Sequence, residues 1–171
     1  MTEYDAIVYD LDGTLVHLDV DWDEVAQDGA TFLESKGVDA DGVDLWAMLE
    51  MAAEIGERDA IEGIISEYEC RGAEQSTRLP TADDLPQMVP VAVCSLNCEQ
   101  ACRLALEQHD IAEYVEVVIG RDTVPTEKPD PEPLLTAVQR LGVAPDRSLF
   151  IGDSERDELT AQRAGTAYRY V

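Results

Sequence analysis

From Asp5 to Asp10 the chain runs DAIVYD, an apolar block too short for a helix, which reads as a fully buried strand. The same signature returns in VAVCS (Val91 to Ser95), YVEVVIG (Tyr114 to Gly120) and SLFIGDS, and more briefly in TAYRYV. Between the first two of these blocks the pattern changes to a helical period. DWDEVAQDGATFLESKG has Asp21 as a candidate N-cap and Gly37 as a stop. VDLWAMLEMAAEIG sets Leu45, Met48, Leu49 and Ala52 on one face, and RDAIEGIISEYECRG does the same with Ile61, Ile64, Ile65 and Tyr68. Trp22 and Trp46 in this block read as packing of a small helical core rather than as ligand platforms. Later helices are expected from about Glu99 to His109, capped by Ser95 or Asn97, over PLLTAVQRLG between Pro133 and Gly142, and over ERDELTAQRAG.

Strands that alternate with helices predict an α/β chain, a Rossmann-like, doubly wound parallel sheet covered on both faces. Residues 18–79 are far too many for one crossover, and read as a small helical cap inserted after the first strand. Residues 1–17 and 80–171 then form the core. The helix that should precede the second core strand shrinks to roughly TADDLPQM.

Composition adds limits. The chain carries 37 Asp plus Glu against 12 Lys plus Arg, a formal charge of −25. Such a surface repels nucleic acid and anionic lipid, so neither is expected as a partner. A hydrophobic content of 45% in periodic blocks argues against disorder. Lysines are only Lys36 and Lys128, while arginines number ten, a balance that resembles proteins of salt-loving archaea. No run of about 18 apolar residues is present and MTEYDAIVYD does not read as a signal peptide, so a cytoplasmic protein is expected. Cys70, Cys94, Cys98 and Cys102 include no CxxC pair and read as small buried apolar residues rather than metal ligands.

The chemistry gathers at strand ends. Asp10 and Asp12 follow the first strand, Ser95 and Asn97 the second, Lys128 the third, Asp153 and Asp157 the fourth. In open α/β sheets ligands bind at the carboxyl ends of strands, so a parallel sheet would bring these residues to one edge. Crowded carboxylates repel unless a cation compensates, and hard oxygen donors suit Mg²⁺. A serine hydroxyl and a lysine ammonium suit the oxygens of an anion. Each motif alone has a plainer reading: Asp12-Gly13 as a turn, Lys128-Pro129 as a surface loop, Asp153 as a helix cap. Together they describe a phosphoryl site.

DLDGT, a serine closing the second core strand, KPDP and GDSERD, in that order, resemble the haloacid dehalogenase-like hydrolase superfamily. The helical insertion after the first strand is similar to that of its phosphoglycolate phosphatase-type branch. The resemblance implies Mg²⁺-dependent hydrolysis of a small-molecule phosphate monoester. It assigns Asp10 as the nucleophile that becomes an aspartyl-phosphate, and Asp12 as general acid and then base. It assigns Mg²⁺ to the Asp10 carboxylate, the Asp12 backbone carbonyl and Asp153, with Asp157 holding metal-bound water or orienting Lys128. Ser95, Asn97 and Lys128 would bind the phosphoryl oxygens, Gly13 would allow the turn after the strand, and Thr14 would tie it. His17 reads as an exposed loop residue.

Alternatives stay open at this level. A receiver-type phospho-acceptor also combines Asp, Mg²⁺, a hydroxyl and Lys, but places its phosphorylated Asp on a middle strand and lacks a helical insertion. A regulatory subunit without turnover, a dehalogenase, a phosphomutase or a phosphonate hydrolase would share parts of the site. The short cap leaves room for larger substrates or for a covering second subunit, so a monomer or a homodimer is expected.

Overall fold

The computed structural model describes residues 3–171. Five strands form one parallel sheet: β1 (Ala6–Tyr9), β4 (Val91–Cys94), β5 (Val117–Ile119), β6 (Ser148–Gly152) and β7 (Ala167–Tyr170), in the order β5-β4-β1-β6-β7. A second sheet of two short antiparallel strands pairs β2 (Val16–His17) with β3 (Thr77–Arg78). Neither of these was visible in the sequence, because two residues cannot display a period of two. Among the described residues no helix is long and apolar enough to cross a membrane.

Alternation along the strands divides the core into two layers. Tyr9, Val91, Val93, Leu149 and Ile151 face α4 (Glu99–Gln108), where Ala101, Cys102, Ala105 and Leu106 complete one apolar cluster. Val8, Ala92, Cys94 and Phe150 face the other way. They meet Leu134, Ala137 and Val138 of α5 (Glu132–Arg140), and Ala161 and Ala164 of α6 (Glu155–Ala164). Strands buried on both faces need continuous apolar runs, which is why the sequence shows blocks rather than alternation.

The insertion consists of α1 (Trp22–Ser35), α2 (Leu45–Glu54) and α3 (Arg58–Glu74). Asp21 caps α1, its carboxylate accepting from the amides of Asp23 and Glu24, and Asp44 caps α2 by accepting from Ala47 N. Val25, Leu33, Met48, Leu49, Ile61 and Ile65 bury against one another as a third cluster. Fully burying each large side chain of this kind contributes roughly 1.5–3 kcal/mol. Helix α3 belongs to two clusters: its first half packs with α1 and α2, whereas Cys70 and Ala73 pack with the sheet layer under α4. The segment before β4 is a 3₁₀ turn, Pro80–Asp84, in place of a full helix.

The helix after β4 departs from expectation. Cys98, not Ser95 or Asn97, stands at the N-cap of α4 and makes no side-chain cap bond. The Glu99 N–H is satisfied instead by Asp122 Oδ1 at 2.8 Å, from the loop after β5. Ser95 and Asn97 bond to each other instead of capping α4. Gly120 allows this approach, since a Cβ there would overlap the Glu99 backbone nitrogen.

Candidate active site

Strand order reverses at β1, with β4 and β5 on one side and β6 and β7 on the other. Backbone bonds carry the ladder one residue past the strands: Asp10 N donates to Ile151 O at 2.9 Å and Ser95 N to Ile119 O at 2.9 Å. Asp10 and Ser95 are thus held at the carboxyl ends of β1 and β4, and Asp153 follows the last residue of β6.

Lys128 joins these ends. Its side chain is 2% exposed, and its ammonium donates to Asp10 Oδ1 at 3.0 Å, Asp157 Oδ1 at 2.7 Å and the Cys94 carbonyl at 3.0 Å. Burial opposes the ammonium charge, but Asp10 and Asp157 outweigh it and raise the lysine pKa above its usual range. Burial also pushes the Asp10 carboxyl up to about 7; Lys128 pulls it down, while Asp157 and Asp153 push it further up.

Asp10, Asp153 and Asp157 each bring a carboxylate oxygen within 4.8 Å of the others, the sole such cluster of metal-ligating side chains among the described residues. Lys128 pairs with two of the three carboxylates, so negative charge is in excess once Asp10 ionises. Asp157 Oδ2 is buried without any partner. An unpaired buried oxygen, an excess of negative charge and oxygen-only donors all fit a divalent hard cation such as Mg²⁺.

The turn after β1 explains Gly13. It takes φ +84, and a Cβ at this position would overlap Asp153 Oδ2, so a side chain here would expel a carboxylate of the cluster. The turn is tied by backbone bonds, Gly13 N to Val16 O at 2.8 Å and Thr14 N to Leu11 O at 3.1 Å. The buried Thr14 hydroxyl finds no partner, contrary to the tie expected of it. Asp12 lies apart from the three-carboxylate cluster. Its Oδ1 accepts from Leu18 N at 2.9 Å and stands 3.8 Å from Nδ1 of the exposed His17. Burial raises the Asp12 pKa, and the Leu18 N–H works against that rise.

Ser95 and Asn97 form a small closed unit. The Ser95 hydroxyl donates to Asn97 Oδ1 and accepts from Asn97 N, both at 3.0 Å. Asn97 Nδ2 donates to Glu69 Oε2 at 2.6 Å. Glu69 is fully buried and also accepts from Arg121 Nη2 at 2.8 Å. Arg121 in turn donates to Glu62, Ser66 and the Leu96 carbonyl. Glu69 and Arg121 were not singled out in the sequence. Glu69 stands four residues after Ile65 on the apolar face of α3, and a carboxylate there was the available signal.

A cavity of about 750 Å³ opens beside these groups, with Asp10, Asp12, Ser95, Asn97, Asp153 and Asp157 on its floor. Trp22 and Trp46 line the opposite wall, 41% and 39% exposed, so the expectation that they fill the helical core does not hold. Each stands near the start of its helix, and neither belongs to the apolar cluster that the three helices share. The cysteines carry free thiols, with Cys94, Cys98 and Cys102 buried and Cys70 half-buried, as expected of packing residues.

Comparison with known proteins agrees with this geometry. The family model for haloacid dehalogenase-like hydrolases matches residues 7–171. The phosphoglycolate phosphatase of Escherichia coli strain K12 is 52% identical over 60 residues, which are 35% of this chain and 24% of that protein. The matched stretch therefore spans about a quarter of that relative's length. Among solved structures, CbbY from Rhodobacter sphaeroides in complex with phosphate superposes with a TM-score of 0.69 at 18% identity, covering 98% of this chain and 85% of that one. A predicted phosphoglycolate phosphatase from Haemophilus somnus gives a TM-score of 0.67 at 22% identity, over 98% and 85% of the two chains. The parallel sheet, the order of the strand-end motifs and the match over nearly the whole length lead to one assignment: the chain belongs to the haloacid dehalogenase-like hydrolase family.

Proposed function

We propose that this chain is a Mg²⁺-dependent phosphatase that hydrolyses a small-molecule phosphate monoester through an aspartyl-phosphate on Asp10. The observation that carries this reading is the Asp10 carboxylate itself. It ends the central strand, bonds to Lys128, shares a cluster with Asp153 and Asp157, and opens on a cavity that also holds Asp12 and Ser95. Residues 1–17 and 80–171 act as the catalytic core and 18–79 as the cap.

Asp10 attacks phosphorus with one carboxylate oxygen while Lys128 holds the other in place. Asp12 protonates the departing alkoxide and then takes a proton from the water that cleaves the acyl-phosphate. A raised pKa suits the first of these roles. Ser95 can turn its hydroxyl from Asn97 Oδ1 to a phosphoryl oxygen, and the Lys128 ammonium, its protons held by Asp10, Asp157 and the Cys94 carbonyl, supplies positive charge beside the reacting centre. Asp10, Asp153 and Asp157, with the Asp12 carbonyl, are the residues that would hold Mg²⁺. The bound ion would neutralise the excess negative charge and polarise the phosphoryl group.

The four free thiols suit a reducing compartment such as the cytoplasm. The charge of −25 suits a salt-rich one. The test is phosphate release from p-nitrophenyl phosphate with Mg²⁺ in molar KCl. Release that survives unchanged in Asp10→Asn defeats the mechanism.

A further inference from the structure

Both buried cations near the site are already engaged. Lys128 is held by Asp10, Asp157 and the Cys94 carbonyl. Arg121 lies at the cavity wall, but its guanidinium is held by Glu62, Glu69, Ser66 and the Leu96 carbonyl. The remaining cavity cation, Arg156, is exposed and stands over the Trp46 ring, 5.9 Å from its centroid. On the cap side the wall is Trp22, Ala26, Leu45, Trp46, Leu49 and Ile65, and the charged groups beside these are the carboxylates of Asp23 and Asp44.

A glycolate leaving group brings a carboxylate within a few bonds of phosphorus. It would meet an apolar wall and two like charges, and the one cation left to it, Arg156, is solvent-exposed and lies over the Trp46 ring, where an ion pair contributes little. A flat uncharged ring meets the opposite conditions: the Trp22 indole and the part of the Trp46 indole that Arg156 leaves uncovered, apolar side chains beside them and about 750 Å³ of space. Asp23 and Asp44 can accept hydrogen bonds from hydroxyl or amino groups on such a ring system.

Resting on the phosphatase reading above, we propose that the preferred substrates are monoesters whose leaving group is an uncharged alcohol carrying a flat ring, docked on Trp22 and Trp46, rather than phosphoglycolate. Trp22 and Trp46 are thereby specificity residues.

The experiment compares benzyl phosphate, uridine 5′-monophosphate, glycerol 1-phosphate and phosphoglycolate, all esters of primary alcohols, with Mg²⁺ in molar KCl. The ring-bearing esters should exceed phosphoglycolate in kcat/KM by about tenfold or more, the scale of one aromatic contact plus an avoided like charge. Trp46→Ala and Trp22→Ala should lower the benzyl-to-glycerol ratio of kcat/KM several-fold, mainly through KM, and Trp46→Phe should retain most of it. Asp23→Arg, on an exposed position, should shift the preference toward phosphoglycolate. Phosphoglycolate equal to or better than benzyl phosphate, or ratios unmoved by both tryptophan variants, overturns the proposal. Turnover of none of the four esters defeats the phosphatase reading instead. The pocket is then judged by quenching of tryptophan fluorescence, where benzyl phosphate must quench at lower concentration than phosphoglycolate.

Discussion

Replacing Lys128 by methionine removes one charge and little volume. The aliphatic stem can stay in place beside the Phe150 ring, which lies 5.4 Å from the ammonium, so packing changes little. What disappears is the counter-charge to Asp10 and Asp157, whose side chains are 9% and 2% exposed. Removing one partner of a buried ion pair costs about 3–5 kcal/mol, because the charge left behind is neither paired nor hydrated. In a chain of this size each kcal/mol shifts Tm by about 2–4 °C. The variant should therefore melt roughly 6–20 °C lower at pH 8 in metal-free buffer. The pH dependence follows from Asp10, which ionises near 3.8 in the unfolded chain and at about 7 in the folded one. Between those values the folded state retains a proton the unfolded state has lost, so metal-free stability falls as pH rises and levels off above 7. Lys128 moderates that fall, and without it the fall deepens. The Tm deficit should thus be clearly smaller at pH 5, where Asp10 is protonated with or without Lys128. Millimolar Mg²⁺ should recover part of it at pH 8. The assay is thermal denaturation by circular dichroism at both pH values, with EDTA or Mg²⁺. A loss under about 3 °C at pH 8, or equal losses at the two pH values, would refute the charge account of Lys128.

Asp10→Asn should lower turnover about a thousandfold or more while leaving metal-free Tm equal or higher, because it deletes a nucleophile and a buried charge together; stopped assays and melting curves on one preparation show both. Gly13→Ala should weaken Mg²⁺ binding about tenfold by displacing Asp153, besides the strain of a Cβ at φ +84, as read by isothermal titration. Glu69→Ala should raise KM for phosphate esters and lower Tm by several degrees, since Asn97 Nδ2 and Arg121 each lose a buried partner. With a net charge of −25, Tm should climb with KCl up to molar concentration, and a maximum in dilute buffer would remove the salt-adapted reading.

Legibility in the sequence followed distance. The β1 block, the N-cap at Asp21 and the strand-end residues rest on local pattern, and the parallel topology follows from the alternation of strands and helices. The partnership of Lys128 with Asp157 was one of two roles left open for Asp157, and only coordinates place its Oδ1 at 2.7 Å from the ammonium. The Glu69–Arg121 pair joins residues 52 positions apart and leaves no periodic trace beyond one carboxylate on an apolar face. Trp22 and Trp46 show the limit of amphipathic reasoning. The pattern marks them as apolar, but whether an apolar side chain turns to the seam or to a cavity depends on how the helices cross, which is a property of packing rather than of period.

Helix α3 sits in two apolar clusters at once and is riveted to the β4 and β5 loops by Glu69 and Arg121. Evolution can accordingly rework α1 and α2 with little disturbance below, since they touch the lower body chiefly through α3. A transplant of the whole insertion from a relative would have to bring a matching α4 surface with it. New substrates should therefore arise in this lineage by change at the first turns of α1 and α2, where both tryptophans stand, long before α3 is exchanged.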